Sequence, residues 1–142
     1  LLVVRRRALS DSFTLSTTAN VDQLSSIRAS VKRWLVANGV EPPQVADLVL
    51  AVGELAANAC IHAYPPMSAG PVRLEGKLEG ETIRVQVSDD GRWSNRTAVD
   101  GGRGLSLIRA LGVELSVDTQ GPGTTAVITS KVTRAVPTEA RS

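Results

Sequence analysis

Two polar side chains in one predicted helix are the first candidates for chemistry in this sequence. Glu54 and Asn58 are four residues apart, so a helix places them one turn apart on the same side. A carboxylate can accept a proton from a hydroxyl group, and an amide oxygen is a hard ligand suited to Mg²⁺. The spacing also occurs often by chance. The pair needs partners, which are either protein groups or a ligand that carries a metal ion.

Three later segments contain residue types that are found in ligand-binding loops. Asp89-Asp90-Gly91 follows a predicted strand, a glycine-rich segment ending at Gly104 precedes a short predicted helix, and Gly123-Thr124-Thr125 precedes the last predicted strand. Each segment has an ordinary explanation as well, since aspartate and glycine are typical of turns and of loops that enter helices. Their order along the chain is more informative than any one of them.

The helix that carries Glu54 is predicted from Pro42 to the Tyr64-Pro65-Pro66 stop. Proline is well tolerated in the first turn of a helix, and an apolar face recurs with the helical period. That face consists of Val45, Leu48, Val49, Val52, Ala56, Ala59 and Ala63. Glu54 and Asn58 lie on the other side, in line with Leu50 and Ile61. Because this second side is partly apolar, we expect it to be shielded from water.

The remaining chain predicts one further long helix, a short helix and several strands. The elements predicted from periodicity and turn signals are strands at 10–16, 72–78, 82–87, 113–119 and 124–132, and helices at 21–38 and 104–111. The first of these helices has a predicted apolar stripe of Val21, Leu24, Ile27 or Arg28, Val31 and Leu35. The polar stretch 92–102 is predicted to be a mobile loop or lid. Helices come early and strands dominate later, which favours an antiparallel or mixed sheet covered by helices on one face.

Composition narrows the class of protein. The 142 residues fit a single domain, 1–142, with a frayed tail expected at 133–142. The formal net charge of +2 is mild and the basic residues are mostly scattered, which argues against direct nucleic-acid binding. With one cysteine, Cys60, and one histidine, His62, neither a disulfide nor a His/Cys metal site can form within the chain. No membrane-length apolar run is expected, and a cytoplasmic location is the default.

Taken in order, the four segments resemble the N, G1, G2 and G3 boxes of the GHKL ATPase superfamily, over residues 42–131. The wording Asn-Ala-x-x-His-Ala-Tyr from Asn58 and Gly-Arg-Gly-Leu-x-Leu-Ile from Gly102 resembles the anti-sigma factor serine/threonine kinases of bacteria, the RsbW-like family. The resemblance implies an α+β fold of the GHKL (Bergerat) type: a two-layer α/β sandwich with a mixed, mostly antiparallel sheet. It also implies ATP and Mg²⁺ as ligands.

The resemblance assigns a role to each polar candidate. Glu54 is implied as the general base and Asn58 as the Mg²⁺ ligand beside the phosphates. Asp89 is implied to accept a hydrogen bond from the exocyclic amine of adenine, with Gly91 leaving room for the ring.

The resemblance also implies further nucleotide contacts, and some of these residues have a structural explanation as well. Gly102, Arg103, Gly104 and Leu105 open a helix whose N-terminus suits phosphate groups. Thr125 resembles the G3 threonine, although strand propensity explains a threonine there equally well. His62 is a candidate nucleotide contact or a packing residue.

One position departs from the pattern of many GHKL proteins. Trp93 occupies the place of a second glycine two residues after Gly91, which puts the lid geometry in question. Two other glycine motifs of nucleotide-binding proteins are absent. No third glycine follows Gly104 at the spacing of the dinucleotide-binding motif, and the Gly-Lys-Ser/Thr sequence of a P-loop does not occur.

The function implied by the resemblance is an ATP-dependent protein serine/threonine kinase. Such a protein phosphorylates an anti-anti-sigma partner of the STAS type and sequesters a sigma factor. The first helix, residues 21–38, is a candidate surface for these partners or for a homodimer. The alternatives are a non-catalytic binding module gated by ATP and the catalytic ATPase fragment of a histidine kinase.

Overall fold

The computed structural model describes residues 12–65, 68–91 and 103–135, with side chains in the last range from residue 106 onward. Its elements in chain order are β1 (Ser12–Thr18), α1 (Leu24–Ala37), α2 (Pro42–His62), β2 (Pro71–Glu79), β3 (Thr82–Asp89), α3 (Arg103–Ala110), β4 (Glu114–Asp118) and β5 (Thr124–Lys131). A single 3-10 turn, Val21–Gln23, precedes α1. The predicted lid with Trp93, and Gly102, lie outside the described residues.

The strands form one five-stranded sheet in the order β1-β2-β3-β5-β4. All four neighbouring pairs are antiparallel, so the sheet is not mixed over the described residues. The last strand in sequence, β5, inserts beside β3 and pairs with it from Thr82–Lys131 at one end to Asp89–Thr124 at the other. This insertion brings the end of β3 and the start of β5 to the same edge of the sheet.

One face of the sheet carries the core and is covered by the helices. On β3 the buried positions alternate through Ile83, Val85 and Val87, and on β5 through Ala126 and Ile128, as a half-covered sheet requires. The predicted α+β two-layer sandwich is confirmed.

The helix α2 is the central element of the helical layer. It begins with Pro42 in its first turn and runs for 21 residues. The predicted apolar face is buried apart from the half-buried Val49, and Ala51 and Leu55 are buried as well. By length and composition alone α2 would suffice to cross a membrane, with a mean hydropathy of 1.4 over an 18-residue window, of which 44% is buried. A helix that packs in a protein core meets the same criterion, so this is weak evidence for a membrane span.

Helix α1 packs beside α2 through a buried stripe that differs in part from the predicted one. Asn20 caps the preceding turn by accepting a hydrogen bond from the Asp22 backbone N–H at 2.8 Å. The buried stripe is Ile27, Val31, Trp34 and Leu35. Val21, counted in the predicted stripe, is 56% exposed because it lies in the 3-10 turn before the helix.

The first residues of the predicted frayed tail are held in place. Thr133 accepts a hydrogen bond from the Glu41 backbone N–H at 2.8 Å and donates one to the Gln44 side chain at 2.7 Å. Arg134 forms a β-bridge with Val40. The expectation of a free tail is therefore wrong for residues 133–135, and 136–142 lie outside the described residues.

Candidate nucleotide-binding site

Three polar side chains follow one another along α2. Glu54, Asn58 and His62 are spaced by four residues, so they lie on successive turns of the same side, and each is half-buried. The apolar residues in line with them, Leu50 and Ile61, are 42% and 59% exposed. The expectation that this side is shielded from water is therefore wrong for Leu50 and Ile61, although the three polar side chains are half-buried.

Asn58 is the member of this stripe with an unmet hydrogen bond. Its side-chain Nδ2 is buried and has no hydrogen-bond partner. A buried donor without a partner costs free energy, so this amide is well suited to be completed by a ligand. Glu54 likewise makes no hydrogen bond or ion pair with the residues described here. Both side chains are therefore available to a bound molecule.

The donor set fits a magnesium ion that arrives with a ligand. Within 12–65, 68–91 and 103–135 no group of three or more His, Cys, Asp or Glu side chains could hold a metal ion. Mg²⁺ commonly takes one or two protein oxygens and completes its shell with phosphate oxygens and water. The amide oxygen of Asn58 suits that mode of binding.

Asp89 is a buried carboxylate at the end of β3. Its exposure is 4%, and it faces the helical layer because it continues the alternation of Val85 and Val87. Its Oδ1 accepts a hydrogen bond from the Gly91 backbone N–H at 3.0 Å, which orients the carboxylate. A buried carboxylate is an acceptor only, so it can recognise an amino group on a ligand.

The threonine beside Asp89 is Thr124, which the sequence analysis passed over. Thr124 is 1% exposed, pairs with Asp89 across the two strands, and has a buried Oγ1 without a hydrogen-bond partner. The predicted Thr125 pairs with Ser88 and is half-buried on the opposite face of the sheet. The alternation of β5 was the available signal, since inward-facing Ala126 and Ile128 place Thr124 on their own side.

Two glycines allow the chain to close around Asp89. A Cβ at Gly123 would overlap the Asp89 carbonyl oxygen, and one at Gly91 would overlap the carbonyl oxygen of Ala63. Gly123 thus lets β5 begin against the end of β3, and Gly91 lets the turn after β3 pack on the end of α2. Packing against α2 therefore requires a glycine at position 91, in addition to the predicted role of leaving room for the adenine ring.

Tyr64 and Arg73 hold the same turn from outside. The Tyr64 hydroxyl donates to the Pro71 carbonyl at 2.6 Å and accepts from the Asp90 backbone N–H at 2.8 Å. Burial raises the pKa of Tyr64 above its usual value, so the phenol stays protonated at neutral pH. Arg73 forms an ion pair with the Asp90 carboxylate at 2.6 Å, and this hydrogen bond lowers the pKa of Asp90.

The predicted phosphate segment is only partly described. Arg103 is the first residue of α3, Gly104 and Leu105 follow in its first turn, and α3 packs against α2 and buries Ile108. The first turn of a helix leaves backbone N–H groups without intrahelical partners, which favours anions. Gly102 and the side chains of 103–105 lie outside the description.

Comparison with known proteins places this geometry in a family. The sequence profile of the histidine kinase-like ATPase domain matches residues 17–131, which include every element from α1 to β5. The chain belongs to the histidine kinase-like ATPase (GHKL) domain family. A chain of this family has an ATP-binding, kinase-like fold, which agrees with the polar groups gathered around α2 and the ends of β3 and β5.

Relatives of this GHKL domain come from two kinds of protein. Blue-light-activated histidine kinase 2 of Erythrobacter litoralis is 32% identical over 117 residues, covering 77% of this chain and 33% of the relative. A solved structure of RsbU and RsbW domains from Mycobacterium tuberculosis has a TM-score of 0.70 at 27% identity, covering 89% of this chain and 34% of that one. The E. litoralis EL346 blue-light-activated histidine kinase has a TM-score of 0.57 at 32% identity, covering 66% and 32%. The chain thus spans about a third of the length of each relative.

Proposed function

We propose that this GHKL domain is an ATP-dependent anti-sigma factor serine/threonine kinase. The observation that carries the proposal is its likeness to the structure with an RsbW domain, which extends over 89% of the chain with a TM-score of 0.70. The likeness to two histidine kinase structures is weaker, with TM-scores of 0.57 and 0.56 over 66% and 77% of the chain. The sequence motifs around Asn58 and Gly102 support the same choice.

In this proposal the two ends of the site bind different parts of ATP. Asp89 accepts a hydrogen bond from the adenine amino group, and the Thr124 hydroxyl completes its unmet hydrogen bond there. Asn58 supplies an oxygen to Mg²⁺, which neutralises phosphate charge when bound. Gly104 and its neighbours offer backbone N–H groups to the phosphates at the start of α3. The buried Thr124 hydroxyl, which has no protein partner, thus acquires one.

Glu54 is the proposed general base. It stands one turn before Asn58 and makes no ion pair within the described residues, so its carboxylate is available to a serine or threonine hydroxyl. Glu54 accepts the hydroxyl proton as the hydroxyl oxygen bonds to the γ-phosphorus. The bond from that phosphorus to the bridging oxygen breaks, and ADP leaves with the electron pair.

The protein partners are proposed to bind on α1, at a groove between α1 and α2. The groove has a volume of about 740 Å³ and an apolar lining that includes Val36 and Leu50, which are 57% and 42% exposed. Arg28 and Lys32 stand on its rim and are not ion-paired in the described structure. A STAS-type anti-anti-sigma protein and a sigma factor are the proposed partners, in a cytoplasmic setting without direct binding to nucleic acid or membrane.

Replacing Glu54 tests the kinase proposal. With radiolabelled ATP and a candidate anti-anti-sigma protein, Glu54→Gln is expected to lower phosphate transfer by about 10²- to 10⁴-fold, because a general base contributes that much. ATP affinity is expected to change little. Glu75→Gln, an exposed glutamate in β2, is the matched control and should transfer like the wild type.

The same labelling experiment distinguishes the serine/threonine kinase from the two alternative functions. Label on serine or threonine survives acid, whereas label on histidine does not, so acid-labile label would indicate a histidine kinase fragment. That candidate is supported by the 32% identity to a histidine kinase. ATP binding without any transfer would contradict the kinase and favour a binding module gated by ATP.

Charge reversal on the groove tests the partner surface. Arg28→Glu combined with Lys32→Glu is expected to weaken partner capture at least tenfold and to leave ATP affinity unchanged, since it repels an acidic partner surface. Lys77→Glu on the exposed sheet face is the control. Equal capture by both variants in a pull-down with the purified partner would contradict this surface. A change in sedimentation of the protein alone would instead assign the groove to a second copy of the chain.

A further inference from the structure

Tyr64 lies where three segments of the chain meet. It follows the end of α2, its hydroxyl donates to the carbonyl of Pro71 at the start of β2, and the same oxygen accepts from the backbone N–H of Asp90 just after β3. The two bonds, at 2.6 and 2.8 Å, use both the donor and the acceptor capacity of the phenol. A single hydroxyl therefore joins the helix that carries Asn58 to the turn that carries Asp89.

The aromatic ring of Tyr64 packs against two glycines. A Cβ at Gly70 would lie 2.6 Å from the ring Cε1, and one at Gly91 would lie 3.1 Å from Cδ1. Both glycines thus lie close to the Cδ1–Cε1 edge of the ring, which restricts the movement of the ring and of its hydroxyl. The bond from the hydroxyl to the Pro71 carbonyl is part-buried, where water replaces a hydrogen bond poorly, whereas the bond from the Asp90 N–H is exposed.

The hydroxyl holds the peptide next to the one that orients Asp89. It holds the N–H of Asp90, and the next N–H along the chain, that of Gly91, donates to the Asp89 carboxylate at 3.0 Å. Rotation of the peptide between Asp89 and Asp90 would break the first bond and move the donor of the second. The direction of the Asp89 carboxylate thus depends on Tyr64, although the two side chains need not touch.

We propose that Tyr64 is a positioning residue that makes the site selective for adenine over guanine. The proposal rests on the proposed ATP function, in which Asp89 accepts from the base. Adenine carries an amino donor at C6, whereas guanine carries a carbonyl acceptor there, which a fixed carboxylate repels. A carboxylate that can turn away tolerates both bases. Selectivity therefore depends on how firmly the Asp89 turn is held.

The test is a comparison of three ligands in wild-type protein and Tyr64→Phe. Dissociation constants for Mg-ATP, Mg-GTP and Mg-tripolyphosphate are measured by calorimetry. Wild type is expected to prefer ATP to GTP. In Tyr64→Phe, ATP is expected to bind about tenfold more weakly, the value of one or two lost hydrogen bonds, with GTP and tripolyphosphate nearly unchanged. The control is Lys77→Gln, an exposed change in β2 away from the Asp89 turn, which should keep the preference.

The ratio of ATP to GTP affinity decides the proposal, because a purely structural role would weaken all three ligands alike. An unchanged ratio in Tyr64→Phe, or equal weakening of the three ligands, overturns the role of Tyr64 and leaves the proposed ATP function standing. A wild type that binds no ATP overturns both, and a wild type without base preference overturns this inference alone.

Hydrogen exchange in the wild type gives a measurement that does not depend on the folding of a variant. The Asp90 amide is the donor to Tyr64, so its exchange should slow on addition of Mg-ATP and not of Mg-tripolyphosphate. Equal slowing by the two ligands, or no slowing by either, contradicts the proposed link to the base.

Discussion

The Asp89 turn and the Glu54–Asn58 stripe of α2 face the same proposed ligand, but they are held by different contacts. Asp89 is buried, accepts a hydrogen bond from Gly91, and lies in a turn that Tyr64 and Arg73 also hold. Glu54 and Asn58 are half-buried, and Asn58 Nδ2 has no partner.

The difference shows which part of the site the fold itself prepares. A carboxylate that must distinguish one base from another works only in a fixed direction, so protein hydrogen bonds surround it. Groups that bind a metal with phosphates, or accept a proton, must remain available to these ligands. We therefore expect changes in the turn to affect folding and base recognition, and changes in the stripe to affect Mg-ATP binding and phosphate transfer more than folding.

The largest effect is expected where the turn meets β5. In Gly123→Ala the new Cβ would overlap the Asp89 carbonyl oxygen, so the backbone must shift. We expect the free energy of unfolding to fall by about 3 kcal/mol and ATP binding to weaken with it. Gly121→Ala is the matched control in the same loop, since a Cβ there meets nothing within 4 Å. Urea unfolding measures the stability of both variants. Equal stability of the two variants would mean that the turn is not tightly held.

A smaller effect, opposite in sign for stability and binding, is expected at Thr124. Thr124→Val removes a buried hydroxyl that has no partner, so the free energy of unfolding should stay the same or rise by about 1 kcal/mol. ATP binding should weaken at the same time. Thr125→Val, on the opposite face, should change both by less than about 0.5 kcal/mol. If the Thr125 variant is the one that loses ATP affinity, the assignment to Thr124 is wrong.

The smallest effect is expected from the ion pair on the outside of the turn. The Arg73 guanidinium lowers the pKa of the Asp90 carboxyl in the folded state, so the pair stabilises the fold above about pH 4 and that contribution is lost as pH falls through the lowered pKa. Arg73→Gln should therefore be slightly less stable than wild type at neutral pH and equal to it in strong acid. Both charged side chains are solvent-exposed, which keeps the difference small.

Urea midpoints at several pH values measure this last difference. Lys77→Gln serves as the control, because its 4.0 Å contact with Glu79 is longer and also exposed. A deficit of Arg73→Gln that persists unchanged below about pH 2 would show that Arg73 acts through packing and not through the charge of Asp90.

Local patterns predicted the elements well and their side-by-side arrangement poorly. Pro42, the apolar period and the proline stop predicted α2 almost to the residue, and the alternation on either side of Gly80 predicted strands β2 and β3. Thr124 was missed because both threonines of Gly123-Thr124-Thr125 match a motif, and only strand pairing shows which one faces Asp89. The exposure of Leu50 and Ile61 likewise depends on what packs over them.

The sequence by itself determined that Glu54 and Asn58 lie on one side of a helix, because a four-residue spacing is a property of a single segment. It also determined that a carboxylate ends β3. Only the tertiary structure decided that Asp89 meets Thr124, that Gly123 must be glycine, and that the Tyr64 hydroxyl holds Asp90. These contacts join segments that are distant in sequence. They exist because β5 inserts beside β3 and because the end of α2 packs on the turn that follows β3.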